Sequence, residues 1–225
     1  MIKKLVLISI ILTILSTSTS CTVKEQKKYS AQFLELFNTV TEIVAYSETK
    51  EEFTTFAQLI YDNLEEYHQL YDKYNNYDNV NNIKTINDNA GIQPVKVDQR
   101  IIDLLLFSKE VYELSGGQLN VAMGSVLEIW HIYREDGIND PDTASLPPME
   151  QLEAANQHTD INNLIIDEAN STVFLSDKDM RLDVGAIAKG YATEQVCRIA
   201  KEQGYKNFLL SVGGNVRAMG TKGPK

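Results

Sequence analysis

Apolar and polar positions divide the chain into blocks of different period. Lys3 and Lys4 precede a largely apolar run from Leu5 to Leu15, small polar residues fill Ser16 to Ser20, and Cys21 follows. That order is the order of a secretory signal peptide, and the run is shorter than the roughly twenty residues that span a bilayer. Thr22 to Ser30 is polar and reads as a tether. From Phe33 to Tyr46, aromatic and β-branched residues in partial alternation predict a strand. Thr49 and Glu52 then have the spacing of a capping box, and Phe53, Phe56, Ile60, Leu64, Tyr67, Tyr71 and Tyr74 recur at helical steps. They predict a long helix over 50–74.

Asn-rich sequence from Asn75 to Gly91 reads as a loop, after which Asp98 caps a predicted helix over 99–114 that Ser115-Gly116-Gly117 ends. A short helix is predicted at 125–134, a proline-bearing surface loop at 135–148 and another short helix at 149–157. Strands are predicted at 161–167 and 172–176, with a further short strand ending at Leu182. A helix over 188–203 stops at Gly204, and strands at 206–212 and 216–220 flank Gly213-Gly214-Asn215. Strands and helices mix without a βαβ rhythm, which places the chain in the α+β class, a mixed sheet packed with helices. The organisation is 1–20 signal peptide, 21–32 lipid-bearing cysteine and tether, and 33–225 one partial domain.

Composition narrows the options. Lys and Arg number 21 against 31 Asp and Glu, a formal charge of −10, so no broad basic surface for nucleic acid exists. Loss of residues 1–20 removes Lys3, Lys4 and no acid, deepening the deficit. The 2 cysteines exclude a disulfide-rich scaffold and a four-thiolate zinc site. Cys21 directly after the cleavage region resembles a bacterial lipoprotein signal, although Ser18 stands where such signals usually carry Leu; ordinary secretion is the alternative. A lipid on Cys21 would anchor the protein on the extracytoplasmic face of the membrane.

Candidate chemistry concentrates in Arg181–Ala192, RLDVGAIAKGYA. An aspartate, a glycine-bearing loop and a helix N-terminus with Lys189 and Gly190 form a place suited to phosphate. It is neither a Walker loop nor a dinucleotide G-x-G-x-x-G. Alone, it reads first as a capped helix in a core. Ser115–Asn120 offers backbone amides or a plain helix stop. Tyr74 lies at a helix exit where a ring can stack on a planar group, although most tyrosines at such spacing pack in a core. His68 and His158 fall on a helix face and a helix end, no histidine has metal-ligand spacing, and Trp130 is expected in the core.

The order G-G-x-L-N, L-D-x-G-A-I-A-K-G-Y-A and G-G-N-V-R-A-x-G resembles the FAD:protein FMN transferases, the ApbE family, over about 33–225. The resemblance implies a T-fold-like mixed sheet and Mg²⁺-dependent transfer of FMN from FAD to a Thr or Ser hydroxyl of an acceptor flavoprotein in a membrane electron-transport system, with AMP released. It implies that Asp183, Lys189 and Tyr74 contact FAD, that Gln118, Leu119 and Asn120 line its site, and that the backbone oxygen of Ala186 helps hold Mg²⁺. Many members have Phe-Asp where this chain has Leu119-Asn120, and Met-Gly-Thr where it has Phe37-Asn38-Thr39. The family's A-D-x-x-x-T and H-x-x-D-P-x-T-G strings do not occur. The expectation is therefore a domain missing its C-terminal part, without an identifiable catalytic residue. FAD pyrophosphatase activity and a non-catalytic flavin-binding surface lipoprotein are the alternatives.

Overall fold

Strands β1 (Lys27–Phe33) and β2 (Thr41–Ser47) pair antiparallel along their length, Lys27 opposite Ser47 and Phe33 opposite Thr41. The computed structural model describes residues 26–221, so the signal segment, Cys21 and Lys222–Lys225 lie outside the described residues. The single strand predicted over 33–46 is thus the end of one strand, a reversal and a second strand. A 3-10 turn at Leu36–Asn38 makes the reversal, with Phe37 at φ 54° and Asn38 at φ 51°. Left-handed backbone at a phenylalanine is rare, and no glycine or proline marks the turn in the sequence. Residues 27–32, expected in the tether, belong to β1. Its side chains are mostly exposed, whereas β2 buries Thr41, Ile43, Ala45 and Ser47 on one face.

Helix α1 (Lys50–Tyr71) lies against this sheet through Phe53, Phe56, Ile60 and Leu64, all buried. Thr49 Oγ1 accepts the Glu52 N–H at 3.1 Å, and the Glu52 carboxylate accepts the Glu48 N–H at 2.9 Å, one residue outside a reciprocal capping box. The helix ends at Tyr71 rather than 74 because Asp72 turns the chain. Its carboxylate accepts from the Tyr74 N–H (2.6 Å), the Asn75 side chain (2.9 Å) and the Tyr77 hydroxyl (2.8 Å). The expected Asn-rich loop contains a short helix, α2 (Ile83–Asp88). Asn82 caps it by accepting the Thr85 N–H, and Thr85 Oγ1 accepts the Asn82 N–H in return.

Strand β3 (Val95–Lys96) leads to α3 (Gln99–Leu114), which starts and stops where Asp98 and the glycine pair predict. Helix α4 (Gly124–Asn139) is longer than expected and takes the first residues of the predicted loop. Helix α5 (Met149–Asn156) precedes β4 (Leu164–Asp167) and β5 (Thr172–Leu175), and β3, β5 and β4 form a three-stranded sheet in that order. The strand predicted to end at Leu182 is a single parallel bridge between Arg181 and Met123. Helix α6 (Ala188–Glu202) packs on α1, and Gly204 at φ 93° follows it. Strands β6 (Phe208–Val212) and β7 (Asn215–Met219) complete a four-stranded sheet, β1-β2-β6-β7. Gly213 (φ 55°) and Gly214 (φ 87°) join them, the two positive φ angles of a tight hairpin. The architecture is α+β, as expected. Among the described residues no helix is long and apolar enough to cross a membrane.

Candidate functional site

Three segments distant in sequence meet beside Asp183. The first is Asp72–Tyr74, held by the hydrogen bonds to Asp72. Burial pushes the Asp72 carboxyl up, but the bonds from Asn75, Tyr74 and Tyr77 outweigh it and hold the group below the usual carboxylate range. The second is the segment before α4, where the Val121 carbonyl accepts the Asp183 N–H at 2.8 Å and the Arg181 carbonyl accepts the Gly124 N–H at 3.0 Å. A Cβ at position 124 would collide with that Arg181 carbonyl, so glycine permits the approach. The third is 181–187 itself. Buried Asn87 grips the backbone of Leu182 from both sides: its Nδ2 donates to the carbonyl at 3.0 Å and its Oδ1 accepts the N–H at 2.7 Å.

Asp183 is thereby presented on a fixed backbone. Its Oδ1 accepts the Gly185 N–H at 2.8 Å, and its Oδ2 lies 2.6 Å from Lys73 Nζ. The two side chains are only 15% and 17% exposed. Burial presses the Lys73 ammonium down, but the Asp183 carboxylate overrides this and holds its pKa above that of an ordinary lysine. Lys73 Nζ also lies 4.8 Å from the centre of the Tyr74 ring, a cation–π contact.

This pair forms part of the wall of a cavity of about 460 Å³, with Tyr74, Leu127, Trp130 and Leu146 supplying apolar surface and Arg134 a second cation. A neighbouring cavity of about 280 Å³ shares Lys73, Tyr74 and His131. Trp130, expected in the core, is 42% exposed on α4. Tyr74 is 52% exposed, beyond the helix end, and its ring centre stands 5.4 Å from that of His131. Flat apolar walls beside Arg134 and a neutral Lys73–Asp183 pair suit a planar heterocycle joined to phosphate.

The structure brings Tyr74 and Asp183 into one cavity; Gln118, Leu119, Asn120 and Lys189 are not among its lining residues. Gln118 is exposed and Leu119 packs against the core. The Asn120 amide is used structurally: it donates to the Thr159 carbonyl at 2.8 Å and accepts the Ala122 N–H at 2.9 Å. Its segment still touches the site, because Val121 binds the Asp183 backbone. Lys189 sits in the first turn of α6, where a Cβ on Gly190 would stand 3.2 Å from Asn215 Oδ1, so the two glycine motifs meet.

Ala186 is exposed, and among the described residues no hydrogen bond reaches its carbonyl, which suits a metal ligand. Mg²⁺ takes six oxygen ligands in near-ideal octahedral geometry. The three-residue group of potential ligands among the described residues is elsewhere, at His158, Asp177 and Asp179. Among the described residues the Ala186 carbonyl is thus an exposed oxygen that could serve as one such ligand. In the other group, His158 Nδ1 lies 2.7 Å from Asp177 Oδ2 and Nε2 lies 3.9 Å from Asp179 Oδ2, a proximity that helical spacing does not reveal. Lys73 and Asn87 fall in the candidate segment around Tyr74 and the Asn-rich run after it, but no spacing shows that they meet Asp183 and Leu182; His131 and Arg134 carry no such signal.

Comparison with known proteins bears on the family and the fold. An FAD:protein FMN transferase of Klebsiella pneumoniae is 33% identical over 135 residues, which is 60% of this chain and 40% of that protein. One of Treponema pallidum is 32% identical over 142 residues, 61% of this chain and 37% of that protein. The chain thus spans about two-fifths of the curated relatives it matches. The crystal structure of the ApbE protein of Thermotoga maritima superposes with a TM-score of 0.72 at 26% identity, covering 87% of this chain and 60% of that one. The apo flavinyl transferase ApbE of Pseudomonas stutzeri gives 0.72 at 18% identity, covering 89% and 61%. The family model named ApbE matches residues 37–225, nearly all of the chain beyond its N-terminal segment, and the chain belongs to the ApbE family.

Proposed function

We propose that the protein takes part in FMN transfer from FAD to a Thr or Ser hydroxyl of an acceptor flavoprotein, releasing AMP. The observation that carries this is the cavity in which Tyr74, Trp130 and the Lys73–Asp183 pair converge, in a chain whose curated relatives are named FAD:protein FMN transferases. The apolar ring surfaces would hold a flat heterocycle of FAD. Arg134 supplies positive charge for phosphate, Lys73 neutralises Asp183, and Asp183 supplies acceptor oxygens for N–H or O–H groups of the nucleotide.

Breaking a pyrophosphate requires charge on the leaving phosphate to be absorbed, and Mg²⁺ supplies that when bound. Mg²⁺ belongs to the proposed reaction as a requirement that chelation tests, and the Ala186 carbonyl would be one of its ligands. Residues 1–21 support export and lipid attachment at Cys21, which would place the reaction on the extracytoplasmic face of the membrane, near flavoproteins of an electron-transport system.

The test is mass spectrometry of an acceptor flavoprotein domain incubated with the protein, FAD and Mg²⁺. The reading expects one FMN adduct on a Thr or Ser, AMP in equal amount, and loss of both with EDTA. FMN and AMP without an adduct would mean that water is the acceptor and the protein is an FAD pyrophosphatase. Tight FAD binding with no product would make it a flavin-binding lipoprotein.

A further inference from the structure

The ion pair between Lys73 and Asp183 is not needed to hold the two segments that carry it. The Lys73 segment is fixed by the hydrogen bonds to Asp72. The Asp183 segment is fixed by Asn87 on Leu182 and by Val121 on the Asp183 N–H. What the ammonium adds is charge. A bare aspartate, mostly shielded from water, would repel the phosphates of any nucleotide entering beside it, and burial strengthens such repulsion. With Nζ at 2.6 Å the pair is neutral, and each carboxylate oxygen still has acceptor capacity.

We propose that Lys73 is a specificity-determining residue: it cancels the charge of Asp183, so that the site accepts a phosphate-bearing flavin and not only the uncharged flavin. This rests on the reading of the cavity as a flavin-nucleotide site. The ligand class is a flavin carrying a pyrophosphate, and its discrimination from riboflavin is set here by Lys73. The Lys73 ammonium also lies 4.8 Å from the centre of the Tyr74 ring, which helps to keep it beside the carboxylate.

The test is binding of FAD and of riboflavin, measured by fluorescence titration on the protein and on Lys73→Met, Lys73→Arg and the Lys73→Met, Asp183→Asn double variant. Lys73→Met is expected to weaken FAD on the order of tenfold or more while riboflavin shifts by less than about threefold. Lys73→Arg should keep FAD affinity, and the double variant should recover part of what Lys73→Met loses, since the uncompensated charge is gone. Equal losses for both flavins in Lys73→Met would show a structural role and overturn the proposal, as would FAD affinity unchanged in that variant. An unsubstituted protein that binds neither flavin would overturn the flavin-site reading itself, and this proposal with it.

Discussion

Lys73 and Asp183 are 110 positions apart in the chain and 2.6 Å apart in the fold. One follows the exit of the first long helix and the other opens the loop that leads to α6. Their contact lies where the site is assembled, with Tyr74, an aromatic wall, beside the most distinctive motif of the sequence. Each partner is delivered by a separate device: the carboxylate of Asp72 turns the chain at one end, and the Asn87 amide grips the backbone at the other.

Asn87 is the more consequential of these devices for stability. Replacing it with Ala leaves the Leu182 N–H and C=O unpaired in a fully buried position, and an unsatisfied buried group costs about 1–3 kcal/mol. Asn87→Ala should lower the urea midpoint by an amount equivalent to about 2 kcal/mol or more. An unchanged midpoint would mean that the clamp is idle.

Asp72 predicts a pH signature. Its folded pKa is depressed, so its contribution to stability is fully present above the unfolded value of about 3.9 and is lost as pH falls through the folded value. The Tm difference between the protein and Asp72→Asn should be largest near neutral pH and shrink as pH drops below about 4. A difference constant with pH would contradict the assignment of charge to that network.

Cys197 is fully buried, and burial pushes its thiol up to about 12. The thiolate is the reactive form, so this residue should resist alkylation in the native protein and react at once in denaturant. Iodoacetamide labelling followed by peptide mass analysis checks this. Rapid labelling of the folded protein at neutral pH would show that α6 opens.

Two adjacent glycines should respond differently to Ala. At Gly214 the strain is backbone alone, since φ is 87° and no atom lies within 4 Å of a built Cβ. At Gly213 a Cβ would also stand 2.5 Å from Thr39 Oγ1. Gly214→Ala should cost roughly 1–2 kcal/mol and Gly213→Ala more, by thermal or urea unfolding. Equal losses would show that the Thr39 side chain simply moves aside.

Legibility followed the range of the interactions involved. Helix α3 was readable to its ends because Asp98, the apolar stripe and the glycine pair are all local signals. The β1–β2 reversal was not, because Phe37 adopts left-handed backbone that a phenylalanine does not announce, and the polar start of β1 reads as tether. The short α2 hid in an Asn-rich run whose Asn82 is a cap rather than a turn residue. Asp183 and Tyr74, both singled out in the sequence, line one cavity. Lys73 on Asp183, Asn87 on Leu182 and the exposure of Trp130 depend on tertiary placement, which no spacing encodes.

The central claim is that a flavin nucleotide occupies the cavity between Tyr74 and Asp183. Trp130 is the only tryptophan in the chain and lines that cavity, so its fluorescence reports on occupancy without a label. Titration with FAD should quench it saturably, and Tyr74→Ala and Asp183→Ala, with circular dichroism unchanged, should each weaken the apparent affinity on the order of tenfold or more. Saturable quenching with the same affinity in both variants would place the flavin elsewhere and contradict the account, as would the absence of any FAD binding by the unsubstituted protein.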